Sequence, residues 1–320
     1  METKEKHPTR SILLLCCLTS LFLQAHGARA QEALPIIDMH LHTGLPHEIP
    51  PGTPALCRPA PCQGEGMAIV DPVENLSKSM EQMELNNIVL AFLSGTDHRA
   101  VKAWTAAYPG RFIPSPFIME ASGEMLENLR ADYLSNDFQG LGEIGTQLNG
   151  IPPNDPLLEP YFELAEQRDI PVLIHTLGIG PYLPQFSTAA GSPLLLEEVL
   201  LKHPKLRLFV ENAGYPFKDQ MIAMMYQYPQ LYADVSTICW VIPQTAFYDY
   251  LQAFVRAGLG KRLMFGSDQM VWPQKIGAAV HTIKQAPFLS KEQKRDNFYN
   301  NAARFLKLDQ KEIAAHHGRF

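Results

Sequence analysis

The chain has 320 residues, of which 46% are hydrophobic and 19% charged, with 26 Pro and 21 Gly. That balance excludes a disordered chain, a collagen-like repeat and a multi-span membrane protein. A formal net charge of −6, with no basic run in the body of the sequence, leaves no electrostatic footprint for a phosphate backbone, so no nucleic-acid partner is expected.

At the N-terminus, Lys4, Lys6 and Arg10 precede the apolar run SILLLCCLTSLFL, and Ala28-Arg29-Ala30 stands before Gln31. This pattern predicts a secretory signal peptide over residues 1–30 and an exported protein, periplasmic or secreted. The run is shorter than the ~20 apolar residues that cross a bilayer, so no stable membrane span is expected after cleavage. Without Lys4, Lys6, Arg10, Arg29, Glu2 and Glu5, 23 basic residues face 31 acidic ones, a net charge of −8. In an oxidising compartment Cys57 and Cys62, in PGTPALCRPAPC, are expected to form a disulfide, two unpaired thiols being the alternative. Cys239, in STICWVI, reads as a buried apolar residue.

Along residues 31–320 one alternation repeats. Apolar, β-branched runs at 33–42, 86–95, 111–118, 138–145, 170–176, 206–212, 231–236 and 262–268 read as strands. Segments of helical spacing follow them at 71–85, 98–108, 122–135, 158–168, 193–203, 218–228, 245–257 and 273–286. Eight strand–helix units in one domain predict an α/β fold, a single closed (β/α)8 barrel, rather than an open doubly wound sheet. No Gly-rich phosphate loop follows the first strand. Two long loops, 43–70 and 177–192, follow strands one and five and so belong at the C-terminal mouth, where loops shape pockets.

Polar residues interrupt the strands at particular places. Asp38, His40 and His42 occur at period two in IIDMHLH, which points all three to one face of the first strand. Buried together they need compensation, and a divalent cation is the simplest. Glu143 ends strand four in GLGEIG, His175 ends strand five in PVLIHT, and Asp268 ends strand eight in LMFGSD, so all converge on the same mouth. His98, His203, His281, His316 and His317 read as helix or tail residues, and His47 as a loop residue. Tyr182, Phe186, Tyr215, Trp240 and Trp272 flank strand ends five to eight and suggest an apolar rim, with Trp272 a candidate substrate contact.

D-x-H-x-H, PVLIHT, FGSDQ and the closing NNAARFLKL resemble the metal-dependent hydrolases of the amidohydrolase superfamily, in its amidohydrolase-related branch, over essentially all of residues 31–320. The stretch LGEIGTQLNG to PVLIHT is also similar to TatD-type metal-dependent deoxyribonucleases. The resemblance implies a TIM barrel with His40, His42, His175 and Asp268 as metal ligands, Glu143 able to bridge two ions, and Asp38 orienting His40 or His42. Zinc is the first expectation, manganese and iron also accept such ligands, and one or two ions fit. The implied activity is hydrolysis of a lactone, ester or amide of a small molecule by a metal-bound hydroxide, with Asp268 as the proton carrier. Decarboxylation, which occurs in the same branch, is the alternative.

One departure stands at strand six, where the family's His-x-Gly is replaced by LFVENAGYP. Strand alternation allows only one of Glu211 and Asn212 to face the barrel, and alignment favours Asn212, which cannot act as a base but can hold substrate. The site can then be mononuclear, binuclear through Glu143 with Asn212 as a weak ligand, or a metal-containing barrel that only binds. A homo-oligomer is compatible with the sequence, which does not specify it.

Overall fold

The computed structural model describes residues 1–2, 34–45, 67–179 and 184–319. The apolar core and cleavage site of the expected signal peptide lie outside the described residues, as do His47, Tyr182, Cys57 and Cys62 with their expected disulfide. Contacts group Pro35–Arg319 into one unit, and the remaining Met1–Leu34 and Phe320 are almost wholly outside the described residues.

All eight expected strands form, each shorter than its apolar run and β4, β5, β6 and β8 at half its length or less: β1 (Ile36–His42), β2 (Ile88–Gly95), β3 (Phe112–Pro116), β4 (Leu141–Ile144), β5 (Val172–Ile174), β6 (Leu208–Val210), β7 (Leu231–Asp234) and β8 (Leu263–Met264). The eight expected helices lie between and after them, α1 (Pro72–Leu85), α2 (His98–Ala107), α3 (Gly123–Leu134), α4 (Glu159–Arg168), α5 (Glu197–Lys202) and α6 (Lys218–Gln227) preceding β7. A short α7 (Ile238–Val241) and α8 (Gln244–Arg256) follow β7, and α9 (Gln274–Gln285) follows β8. The chain then adds α10 (Lys291–Arg295), α11 (Asn301–Leu306) and α12 (Gln310–His317). Local chemistry starts several of these helices. Asp71 caps α1 by accepting from the amides of Val73 and Glu74, with Pro72 in the first turn, and Ser290 and Asp309 form reciprocal capping boxes on α10 and α12.

Strands β1–β2–β3 and β4 to β8 pair in parallel in sequence order. Two seams join these sheets. The Ile118 amide donates to the Glu143 carbonyl (2.8 Å) beyond β3, and the amides of Met39 and His42 donate to the carbonyls of Phe265 (2.9 Å) and Gln269 (2.8 Å) beyond β8. Hydrogen bonds thus lead from each strand to the next around a ring of eight, the TIM-barrel arrangement. Phe92 on β2 meets Phe209 on β6 edge to face at 5.4 Å, a contact between non-neighbouring strands that is possible only across the lumen. Phe305 of α11 lies 5.2 Å from Phe209, so α11 packs against β6. Gly142 in β4 has φ +107°, and a Cβ there would fall 2.1 Å from the Leu173 carbonyl oxygen, so only glycine lets β4 and β5 approach.

Among the described residues no helix is long and apolar enough to cross a membrane.

Candidate metal centre

The strand C-termini carry a cluster of buried polar side chains: His40 and His42 on β1, Glu143 on β4, His175 just past β5, Glu211 just past β6, Asp234 on β7 and Asp268 just past β8. None is more than 6% exposed. The Nε2 atoms of His40 and His42 are 3.0 Å apart. Glu143 Oε2 lies 3.1 Å from the first and 3.3 Å from the second, and Asp268 Oδ1 lies 3.5 Å and 3.1 Å from them. Donors about 2.0–2.1 Å from one tetrahedral ion stand about 3.3 Å from each other, so His40 Nε2, His42 Nε2 and Asp268 Oδ1 fit three corners of one coordination shell, with Glu143 Oε2 beside the two imidazoles. Asp268 Oδ1 is buried with no hydrogen-bond partner, which marks it as awaiting a cation rather than a proton donor of the protein.

Each histidine is held by its other nitrogen. His40 Nδ1 lies 3.1 Å from Asp234 Oδ2 and 3.0 Å from Ser236 Oγ, His42 Nδ1 lies 2.8 Å from Ser94 Oγ, and His175 Nδ1 lies 2.8 Å from Gln147 Oε1. With Nδ1 donating, all three Nε2 lone pairs are aimed at the cluster, as metal-binding imidazoles require. Asp268 is fixed by its backbone at φ 51°, by its amide on the His40 carbonyl (2.7 Å), and by the Thr237 hydroxyl, which donates to Oδ2. Backbone strain of this kind is held by its surroundings and is common at functional sites.

Electrostatics separate the carboxylates. Burial opposes ionisation of Glu143, but hydrogen bonds from His40 and His42 hold it well below the usual carboxylate range. Burial and then the neighbouring Glu143 push Glu211 well above that range. Burial also opposes the charge of His40, yet Asp268, Asp234 and Glu143 raise its pKa well above the ordinary value, whereas burial leaves that of His175 lowered. Several negative groups and three imidazoles in one dry pocket is an arrangement that a divalent cation relieves.

Two expectations need correction. Asp38 makes no hydrogen bond to either imidazole ring among the described residues. The pairing of β1 with β2 shifts between Asp38 and Leu41, and Asp38 Oδ1 instead accepts from the backbone amides of His40 (3.1 Å) and Ser267 (2.8 Å), tying β1 to the segment after β8. Burial raises its pKa to about 6. At strand six, Glu211 rather than Asn212 joins the cluster, because β6 stops at Val210 and the next turn has φ 52° at Asn212 and 47° at Ala213, which ends the alternation. Asn212 is fully buried and engaged by the protein, its Nδ2 donating to Glu211 Oε1 (2.5 Å) and its Oδ1 accepting from Ser236 Oγ (3.3 Å) and the Ile238 amide (3.1 Å).

Of the other candidates, His40, His42, Glu143, His175 and Asp268 come together as expected. Trp272 is buried beside Trp240 (ring centroids 6.4 Å apart), and its indole N–H has no hydrogen-bond partner among the described residues. Cys239 is a buried free thiol. His203 lies between Glu159 and Glu166 at the end of α5, and His316 against Tyr299, both away from the cluster. Sequence reasoning missed Asp234 and turned Glu211 away from the lumen. A signal for Asp234 was available, since LYADVS ends strand seven with a carboxylate as LMFGSD ends strand eight.

With this geometry established, the amidohydrolase family model matches residues 37–308. The chain belongs to the amidohydrolase family. Solved structures of similar fold include an uncharacterised TIM-barrel protein from Bordetella bronchiseptica (TM-score 0.60, 18% identity, covering 89% of this chain and all of that one). The 5-carboxyvanillate decarboxylase LigW from Sphingomonas paucimobilis is another (TM-score 0.57, 16% identity, 86% of this chain and 100% of that one). So is the 4-oxalomesaconate hydratase LigJ from Rhodopseudomonas palustris (TM-score 0.56, 15% identity, 88% and 97%). No curated protein matches in sequence. In this amidohydrolase the donor set supports a divalent metal.

Proposed function

We propose that the chain is a metal-dependent hydrolase that opens a carbonyl-type bond, a lactone, ester or amide, in a small molecule. The observation that carries the reading is the convergence of His40 Nε2, His42 Nε2 and the unpartnered Asp268 Oδ1 within 3.0–3.5 Å of one another, with Glu143 Oε2 3.1 and 3.3 Å from the two imidazole nitrogens and each imidazole locked from behind. These four residues would hold the ion, zinc being the first choice for such a shell. A divalent ion held there supplies Lewis acidity to a carbonyl oxygen and makes water a stronger acid.

The chain's own groups do the rest. Asp268, whose Oδ1 would hold the ion and whose Oδ2 accepts from the Thr237 hydroxyl, takes the proton of the attacking water and returns it to the leaving alcohol or amine. Asp234 and Ser236 keep His40 in one tautomer throughout. The Trp272 indole N–H offers a hydrogen bond to a substrate oxygen. Decarboxylation is a second reading, supported by solved neighbours named as 5-carboxyvanillate and 2,6-dihydroxybenzoate decarboxylases.

The deciding experiment supplies zinc or manganese to purified protein and screens lactones, esters and amides by acid release, and aromatic carboxylic acids by CO2 release, with a chelated control. Chelator-sensitive acid release supports hydrolysis. CO2 release without acid release transfers the reading to decarboxylation, and metal-loaded protein inert on both panels overturns it.

A further inference from the structure

The side-chain amide of Gln147 stands between His175 and the loop after β5, and it has no hydrogen-bonding capacity to spare. We infer that Gln147 is a positioning residue through which the docked loop, in its described residues 184–191, sets the tautomer and aim of His175. The inference goes beyond the proposed reaction, since it applies to hydrolysis and decarboxylation alike.

Gln147 is buried in the short 3-10 turn Thr146–Asn149 that follows β4. Its Nε2 donates to the carbonyls of Leu177 (2.6 Å) and Ser187 (3.0 Å), while its Oε1 accepts from the Leu177 amide (3.1 Å) and faces His175 Nδ1 at 2.8 Å. A side-chain amide offers two hydrogens and two lone pairs, and here all of them are used. The two carbonyls can only accept and the Leu177 amide can only donate, so the loop decides which end of the Gln147 amide points at the histidine. That end is the oxygen. His175 therefore carries its proton on Nδ1 and turns the Nε2 lone pair toward the cluster.

The loop is shaped to that amide. A Cβ at Gly191 would fall 2.4 Å from Gln147 Nε2 and 2.7 Å from the Leu177 carbonyl oxygen, so only glycine lets the loop close on the pair. The Thr188 hydroxyl joins the two sides of the loop by donating to the Gly178 carbonyl (3.1 Å), and Phe186 meets the His175 ring edge to face at 6.5 Å. With the loop undocked, Nε2 loses the Ser187 acceptor and the Gln147 amide is free to turn its NH2 toward Nδ1. The imidazole proton then moves to Nε2, which faces Glu211 Oε2 at 3.6 Å, an oxygen buried without a hydrogen-bond partner. Each tautomer thus has an acceptor before it, and docking of the loop selects between them.

The test labels the histidines of the full chain with 15N and reads the His175 ring N–H by nuclear magnetic resonance, assigned by its loss in H175Q, with zinc and with chelator. Hydrogen exchange of the Leu177 amide and of residues 184–191 is followed in parallel. The wild type should show one slowly exchanging Nδ1–H. G191A changes neither ring nitrogen nor Gln147 itself, yet it should replace that signal, wholly or in part, by Nε2–H and speed exchange in the loop about tenfold, as loss of two neutral hydrogen bonds predicts. T188A, at an exposed position, should move both readouts the same way by less, and Q147L should free the tautomer directly. A G191A or T188A loop that exchanges faster beside an unchanged His175 Nδ1–H overturns the inference and leaves Gln147 a packing residue, as does a Q147L protein that keeps the wild-type signal or a wild type protonated on Nε2. Because the signal is read with and without zinc, such a failure is distinct from failure of the proposed function.

Discussion

Replacing Asp234 by Asn isolates the group that aims His40. Asp234 Oδ1 accepts from the amides of Asn212 (2.9 Å) and Ser236 (3.0 Å) and from Ser236 Oγ (2.7 Å), while Oδ2 faces His40 Nδ1 at 3.1 Å. Asparagine keeps one oxygen for the three donors, so the fold survives, but it turns an N–H toward His40 Nδ1. The imidazole then favours the tautomer with its proton on Nε2, the nitrogen that must bind the ion. Loss of such a partner costs about 10–100-fold in metal affinity, or about 1.4–2.7 kcal/mol. Ser236 Oγ, 3.0 Å from Nδ1, remains as a weaker acceptor and sets the low end of that range, so D234N/S236A should fall toward the high end. Competition against a chelating dye gives the affinity, and far-ultraviolet circular dichroism checks the fold. A folded D234N protein with wild-type metal affinity would refute the account of how His40 is aimed. By contrast D234A strands two buried amides at about 1–3 kcal/mol each and should destabilise the protein itself.

Other consequences are equally open to measurement. Metal removal should lower Tm: an ion at a thousand times its Kd contributes about 4 kcal/mol, which at about 2–4 °C per kcal/mol is a fall of about 8–16 °C on chelation, seen by scanning calorimetry and restored by zinc or manganese. G142A should fail to fold or melt far below the wild type, because a Cβ at φ +107° meets the Leu173 carbonyl oxygen at 2.1 Å; an unchanged melting curve would contradict the β4–β5 packing. Gln147 also accepts from the Leu177 amide (3.1 Å) and donates to the carbonyls of Leu177 (2.6 Å) and Ser187 (3.0 Å), so Q147A should speed hydrogen exchange across the loop after β5 as well as weaken metal binding. On the surface, burial raises the Asp169 carboxyl, but Lys307 and Arg207 outweigh it and hold the pKa below its ordinary value. Its contribution is therefore present above the ordinary Asp range and lost as pH falls through the depressed value. The side chain is 50% exposed, so D169N should cost under about 1 kcal/mol near neutral pH, the difference vanishing in strong acid.

Much of this architecture was legible because barrel strands are short apolar runs whose ends carry the chemistry. His40, His42, His175, Glu143 and Asp268 could be picked out since a polar residue ending a buried strand has few structural uses. Strand alternation was the wrong guide where the backbone leaves the strand. It assigned Asn212 to the lumen, but the left-handed turn at Asn212 and Ala213 turns Glu211 inward, and no periodicity in LFVENAGYP reveals that. It also put Asp38 beside the imidazoles, whereas the register shift in β1 hands its carboxylate to backbone amides. Asp234 escaped because its partner is 194 residues away along the chain, a pairing that only the closed ring creates.

The central claim, that the barrel mouth is a divalent-metal centre, is tested most directly by the metal content of protein purified without chelator, measured by inductively coupled plasma mass spectrometry for the wild type and H40A/H42A together. The account predicts at least one ion per chain in the wild type and its loss in the double variant. Wild-type protein without metal even after incubation with zinc or manganese, or a double variant that keeps its full content, would contradict it.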